Sequence, residues 1–252
     1  MNQSERRIYL IKYLLKESGY ANEIPDGEYG QRRLLRSLMN VRPPKPVSQE
    51  FLSVQDEYLK TLNKETTVDG DSFDFKNGIA VWKGDITTLK ADGIVNAANS
   101  EMLGCFCPCH GCIDNAIHTY AGIELRLECA RIMKEQGAPE KTGGAKITPA
   151  FNLPSKYVLH TVGPIVYGKL TEKEEKELES CYLSCLKLAD ENKLKTLAFC
   201  CISTGEFHFP NRRAAEIAVK TVKDYKNNTD SKIKVIFNVF KEEDYDEYKR
   251  LL

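Results

Sequence analysis

The sequence predicts a layered α/β domain behind a helical extension, and three observations lead there. From about residue 79, short β-branched and aromatic runs alternate with stretches of helical periodicity, the pattern of strands joined through helices. Before about residue 70 only helical periodicity is present, and that stretch holds no cysteine and no histidine. The 252 residues are 42% apolar and 29% charged, which suffices for a sizeable core and excludes a disordered or fibrous chain. The expected organisation is an extension over 1–70 and the α/β domain over 71–252.

Three helices are expected in the extension. Ile8, Leu10, Ile11, Leu14 and Leu15 recur at helical spacing, as do Leu34, Leu35 and Leu38, and then Phe51, Leu52, Tyr58, Leu59 and Leu62. Pro43, Pro44 and Pro46 end the second helix, because proline lacks the backbone donor and clashes with the preceding turn. Ser48 is placed to cap the third. Strands are expected at Ile79–Trp82, Gly93–Val95, Lys156–His160, Leu197–Ile202 and Val235–Phe240, apolar throughout as in strands covered on both faces. A helix over 172–192 places Leu178, Cys181, Tyr182, Cys185 and Ala189 on one face, so those two cysteines read as core residues. Cys200 and Cys201 read as strand packing, and Asn211 as the cap of a helix carrying Ala214, Ala215, Ala218 and Val222.

Charge and length exclude several functions. With 36 basic and 36 acidic residues the net charge is zero, unlike a dedicated nucleic-acid binder. No run approaches the roughly 18 apolar residues of a membrane span. Residues 1–16 lack the uninterrupted apolar segment of a signal peptide, since Lys12 and Lys16 break it, so a cytoplasmic monomer is the default expectation. One local imbalance stands out: residues 31–46 carry Arg32, Arg33, Arg36, Arg42 and Lys45 with no acid, either a solvated helix face or a docking surface for an acidic or phosphate-bearing partner.

The chemistry concentrates in three loops that follow strands, where open α/β sheets bind ligands. Gly84-Asp85-Ile86-Thr87 follows the first strand of the domain. Ser203-Thr204-Gly205-Glu206-Phe207-His208-Phe209-Pro210 is small and polar at its start and leads into a helix N-terminus, a setting that suits phosphate. The third loop, from Asn96 to Asp114, carries Cys105, Cys107, Cys109 and Cys112 within eight residues, with His110 among them. Thiolate and imidazole are the preferred ligands of zinc, and in a reducing compartment such clusters point to metal before disulfides. Either all four cysteines form a closed structural site, or Cys105, His110 and Cys112 bind and leave a position open, the catalytic pattern. Asp114 and His118, four apart, would share a helix face.

These residues resemble the macrodomain signature. The resemblance rests on Gly84-Asp85-Ile86-Thr87, Val95-Asn96-Ala97-Ala98-Asn99-Ser100, Asp114-Asn115-Ala116-Ile117-His118, Gly144-Ala145-Lys146-Ile147-Thr148, Leu153-Pro154, His160-Thr161-Val162-Gly163-Pro164, and Ser203-Thr204-Gly205 with Phe207 and Pro210. It covers about residues 78–250, in order. A Cys105–Cys112 insert stands where most MacroD-type relatives have a glycine run, which is similar to the zinc-dependent macrodomains of bacteria and fungi, whose Cys-x4-His-x-Cys pattern falls on Cys105, His110 and Cys112. Cys107 and Cys109 are additional to that pattern, and His208 stands where many relatives have glycine.

The resemblance implies a three-layer α/β/α sandwich around a mixed sheet, with ADP-ribose in a cleft at the strand ends and one zinc ion per chain. It implies that Asp85 and the backbone of Ile86 bind adenine and that Phe240 stacks on it. Ser203, Thr204, Gly205, Glu206 and Phe207 would wrap the diphosphate and distal ribose, and Asn99 would contact that ribose. Asp114 and Asn99 would be the catalytic residues. The implied activity is hydrolysis of mono-ADP-ribose from modified proteins, from Asp or Glu esters. The implied substrate setting is a lipoate-related carrier protein modified by a sirtuin-type transferase. A non-catalytic ADP-ribose reader with structural zinc, an O-acetyl-ADP-ribose deacetylase, and an interaction module using the basic extension are the alternatives.

Overall fold

In a computed structural model, residues 1–21 and 23–252 are described. The extension forms α1 (Gln3–Ser18), α2 (Glu28–Val41) and α3 (Gln49–Thr66). Asn2 caps α1 in a reciprocal pair with Glu5, and Gly19 closes it at φ 72°, a left-handed position that glycine adopts without steric cost. Ser48 caps α3 by accepting the Phe51 N–H, as the sequence predicts. The apolar stripes meet in a core of their own, built on Leu10, Ile11, Leu14, Leu35, Leu38, Phe51 and Leu59, to which the following domain contributes Ile123.

The rest of the chain is organised by a six-stranded sheet. Its strands are β2 (Ile79–Lys83), β4 (Gly93–Ala98), β5 (Ala145–Pro149), β6 (Tyr157–Val162), β7 (Thr196–Phe199) and β8 (Lys234–Val239), while the two-residue β1 (Val68–Asp69) and β3 (Leu89–Lys90) pair separately. The order is β2-β8-β7-β4-β6-β5, parallel except for the antiparallel edge strand β5, so the sheet is mixed. Central strands are apolar on both faces, β7 (Thr-Leu-Ala-Phe) being wholly buried, because helices cover both sides. Those helices are α4 (Ile113–Ala121), α5 (Ile123–Gln136), α6 (Glu172–Glu191), α7 (Asn211–Asn228) and α8 (Glu242–Leu251). Cys181 and Cys185 lie fully buried on α6, as their spacing predicts. No helix among the described residues is long and apolar enough to cross a membrane.

Three local expectations need correction. The strand expected over Leu197–Ile202 ends at Phe199, the last residue paired with β8; beyond it the chain turns into the Ser203 loop. Phe240 lies one residue past β8 and is largely exposed, so it borders the cleft instead of completing the strand. Asn211 is the first residue of α7 and not its cap; Pro210 takes the cap position, and the Asn211 amide donates to Asp244 Oδ1 at 2.7 Å, tying α7 to α8. The short β5 and helices α5 and α8 have no counterpart in the sequence reading.

Candidate functional site

The three loops that follow β2, β4 and β7 meet over the carboxyl ends of the parallel strands and enclose a cavity of about 750 Å³. That volume lies within the usual range of small-molecule sites, roughly 300–1,000 Å³. Asp85, Ile86, Asn99, Cys105, His110, Cys112, Asp114, Ser203, Thr204, Gly205, Glu206, Phe207 and Phe240 all line it.

At one end, Asp85 caps a short 3-10 turn: its Oδ1 accepts from the Thr87 N–H (2.9 Å) and hydroxyl (2.7 Å), which holds the carboxylate at the rim. Ile86 is buried beneath it. On the opposite wall the β7 loop is tightly wound. Ser203 adopts a left-handed φ of 64° and His208 one of 57°, a conformation unusual for either residue. The Ser203 hydroxyl is buried without a hydrogen-bond partner, and a side chain at Gly163 would stand 2.0 Å from it, so only glycine fits opposite. Space above Gly205 is open, which exposes its backbone to the cavity. Of the two aromatics, Phe209 is core and Phe207 is half-buried at the cavity wall.

The β4 loop carries the remaining groups. Asn99 spends its carboxamide on the loop itself: Oδ1 accepts from the Glu101 and Met102 N–H groups and Nδ2 donates to Gly104 O. Gly104 has φ 82°, and a Cβ there would stand 2.9 Å from the His118 ring, so the turn before the cysteines requires glycine. Cys105, His110 and Cys112 bring one donor atom each to within 4.8 Å of one another, with Cys105 Sγ 3.5 Å from His110 Nδ1. The other two thiols stay out of the group: Cys107 is exposed and Cys109 donates to Arg33 O. Burial and the adjacent Cys105 push the Cys112 thiol up to about 12, so that thiol resists ionisation until a cation offsets the charge. Two thiols and an imidazole around a cavity wall therefore suit a thiophilic dication. The other ring nitrogen of His110 lies 3.4 Å from Glu206, which joins the β4 loop to the β7 loop.

Asp114 sits in the first turn of α4, buried, with Oδ1 accepting from Asn96 Nδ2 at 2.8 Å. Burial raises its carboxyl to about 6, against the lowering effect of Asn96 and Arg126. His118 stands 3.5 Å from the same oxygen, as the four-residue spacing predicts, and burial holds it neutral well below its ordinary value.

Two contributors escaped the sequence reading. Arg36, from the basic run, reaches the site and lines the cavity. Asn115 lies inside the recognised Asp-Asn-Ala-Ile-His run yet received no role; its side chain is fully buried behind the cysteine loop. The basic run itself is no continuous surface, since Arg42 is buried in a two-bond pair with Glu17 and Arg32 pairs with Glu28.

The Macro domain family model matches residues 95–218. The protein-ADP-ribose hydrolase of Treponema medium is 57% identical over all of this chain and all of its own length. That of Staphylococcus aureus (strain MSSA476) is 54% identical over 86% of this chain and 82% of its own. Among solved structures, the Oceanobacillus iheyensis macrodomain with ADP aligns at a TM-score of 0.61, 35% identical over 68% of this chain and 87% of that one. The Trypanosoma brucei macrodomain in complex with ADP-ribose aligns at 0.66, 28% identical over 85% and 94%.

Proposed function

The chain belongs to the macrodomain family, and we propose that it is a zinc-dependent protein-ADP-ribose hydrolase that removes mono-ADP-ribose from acidic side chains. Hydrolase names attach to relatives at 54–57% identity across most or all of their length. The observation that carries the finer reading is the convergence of a Cys-His-Cys donor group, a buried carboxylate and an anion-suited loop on one cavity.

ADP-ribose would lie with adenine toward Asp85, whose free carboxylate oxygen accepts from the exocyclic amine, beside the Ile86 backbone and under the exposed Phe240 ring. The diphosphate would meet the Ser203-Thr204-Gly205 backbone and the unpaired Ser203 hydroxyl, close to the N-terminus of α7. Glu206 and Phe207 would border the distal ribose. Cys105, His110 and Cys112 would hold zinc. When bound, the ion supplies Lewis acidity toward a ribose hydroxyl or water, tempered by two thiolates.

The chain's own residues do the orienting. Asn96 aims the Asp114 carboxylate at the cavity, where it takes a proton from water or from a ribose hydroxyl. Asn99 serves by fixing the turn into Gly104; a direct contact with the ribose would require its amide to exchange Gly104 O for the ligand. The net reaction consumes one water and yields ADP-ribose and the free carboxylic acid of the substrate protein.

The test is release of free ADP-ribose from a protein ester-modified on Asp or Glu, before and after chelation and re-addition of zinc. A lipoate-related carrier modified by a sirtuin-type transferase is the first substrate to try. Release that depends on zinc is the expected result. Intact label with ADP-ribose tightly bound would make the protein a reader, and release from serine or arginine linkages alone would overturn the ester assignment.

A further inference from the structure

Helix α2 lies far from the cysteine loop in sequence and touches it at several points. Arg36 directs Nε (3.1 Å) and Nη2 (2.7 Å) at Asn115 Oδ1, and Nη2 also donates to the His110 carbonyl at 2.8 Å. Because two guanidinium N–H groups face that oxygen, the Asn115 amide can have only one orientation, with its NH2 pointing the other way. There it donates to Cys107 O (3.0 Å) and Cys105 O (3.4 Å). The Asn115 backbone N–H meets Cys112 Sγ at 3.4 Å. One fully buried asparagine thus touches both ends of the donor group, Cys105 through its carboxamide and Cys112 through its backbone, and one arginine sets the direction of the carboxamide. Four residues further along α2, Asn40 accepts the Cys109 N–H at 2.9 Å and donates to Thr119 on α4 at 3.0 Å.

From this network we infer that the helical extension is part of the metal centre and that Arg36 is its positioning residue. The inference rests on the zinc reading above. Crowding two thiols and an imidazole together is unfavourable before a cation arrives. A loop held in that arrangement by a rigid neighbour loses less freedom on binding metal. Helix α2 is such a neighbour, because Leu35, Leu38 and Met39 anchor it in the extension's own core. The fork of the guanidinium matters here, and not its charge alone: a lysine ammonium cannot hold the Asn115 oxygen and the His110 carbonyl in one plane.

The experiment uses the full chain as wild type, Arg36→Ala, Arg36→Lys and the surface control Arg32→Ala. Zinc per chain, the rate of zinc transfer to a chromogenic chelator, kcat and KM, and thermal unfolding of the chelated protein are measured. Wild type and Arg32→Ala should each hold one zinc and release it slowly. Both Arg36 variants should release zinc at least about tenfold faster and lose kcat by a similar factor. KM should stay within about threefold of wild type, and chelated Arg36→Lys, which keeps a donor for the Asn115 oxygen, should unfold at a temperature similar to chelated wild type. Wild-type release rates in Arg36→Ala would overturn the inference, and full rescue by lysine would overturn the role of the fork. If Arg36→Ala fails to fold, the lysine variant decides. A wild type that binds no zinc would instead sink the reading beneath, independently of Arg36.

Discussion

Two groups of cysteine and histidine side chains in this molecule meet the same distance criterion and differ in almost everything else. Cys105, His110 and Cys112 bring their donor atoms within 4.8 Å, and so do His118, Cys129 and His160. The first group is half-exposed in the wall of the cleft; the second is sealed beneath it. In the buried group both ring nitrogens of His160 are committed to hydrogen bonds, while His118, whose ring nitrogens have no hydrogen-bond partner, is sealed away from any entering cation. Asn96 Nδ2 donates to Asp114 and to His160 Nδ1, which leaves the proton on His160 Nε2 to meet Thr148 at 3.0 Å. Burial pushes the Cys129 thiol up to about 12. Proximity of donors therefore does not make a metal site: lone pairs must be free and the cation must have a way in. The buried group serves instead as the floor on which Asn96 and Asp114 are set.

Removing a donor from the cleft group should have the largest effect. Cys112 both offers a thiol and caps α4, accepting from Asn115 N–H, so Cys112→Ser keeps an oxygen cap while removing the soft ligand. Zinc content should fall to background and turnover by about a hundredfold or more, with the helical circular dichroism retained. Wild-type turnover in that zinc-free variant would show that the metal is not needed for the reaction.

Breaking the floor should act on stability first. His160→Leu leaves Asn96 and Thr148 without their partner and should cost roughly 2–4 kcal/mol in urea unfolding. Zinc per chain should stay at one; a loss of zinc without a loss of stability would reverse the assignment of the two groups.

The floor also predicts an acid dependence. Burial lowers His160 to about 3 and His118 in the same direction, so between about 6.5 and 3 the unfolded chain binds protons that the native chain refuses. Stability should be flat above the ordinary histidine value and fall as pH drops through that window. Asp114, raised to about 6, takes its proton in the folded state first and offsets part of the loss. Urea titrations of chelated protein at several pH values should show a shallower slope in His160→Leu than in wild type.

The smallest effects belong to the thiols outside both groups. Cys107→Ser and Cys109→Ser should each change zinc release and turnover by less than about threefold. A larger change would mean that one of them completes the metal site in solution.

Much of this comparison was legible in the sequence. Soft donors packed into eight residues mark that loop as a candidate metal site whatever the fold, because ligand preference is a property of the side chain. Alternating strand and helix patterns announce a sheet with ligand loops at its strand ends, and every residue singled out for the cleft does line it. The spacing of Asp114 and His118 places them together because both lie on one helix. The misses were of another kind. Asn211 has a side chain whose partner depends on how a neighbouring helix arrives. Arg42 reads as a surface charge until Glu17 is packed against it.

By itself, then, the amino-acid sequence determined the layered α/β class and the donor chemistry of the Cys105–Cys112 loop, both properties of local pattern and residue type. Tertiary structure alone decided that Cys107 and Cys109 turn away, that two histidines and a cysteine form a floor and not a second site, and that Arg36 braces a loop 74 to 79 residues further along the chain. Contacts of that range leave no local periodicity, and whether a charge is solvated or a thiol is free depends on what the folded chain sets beside it.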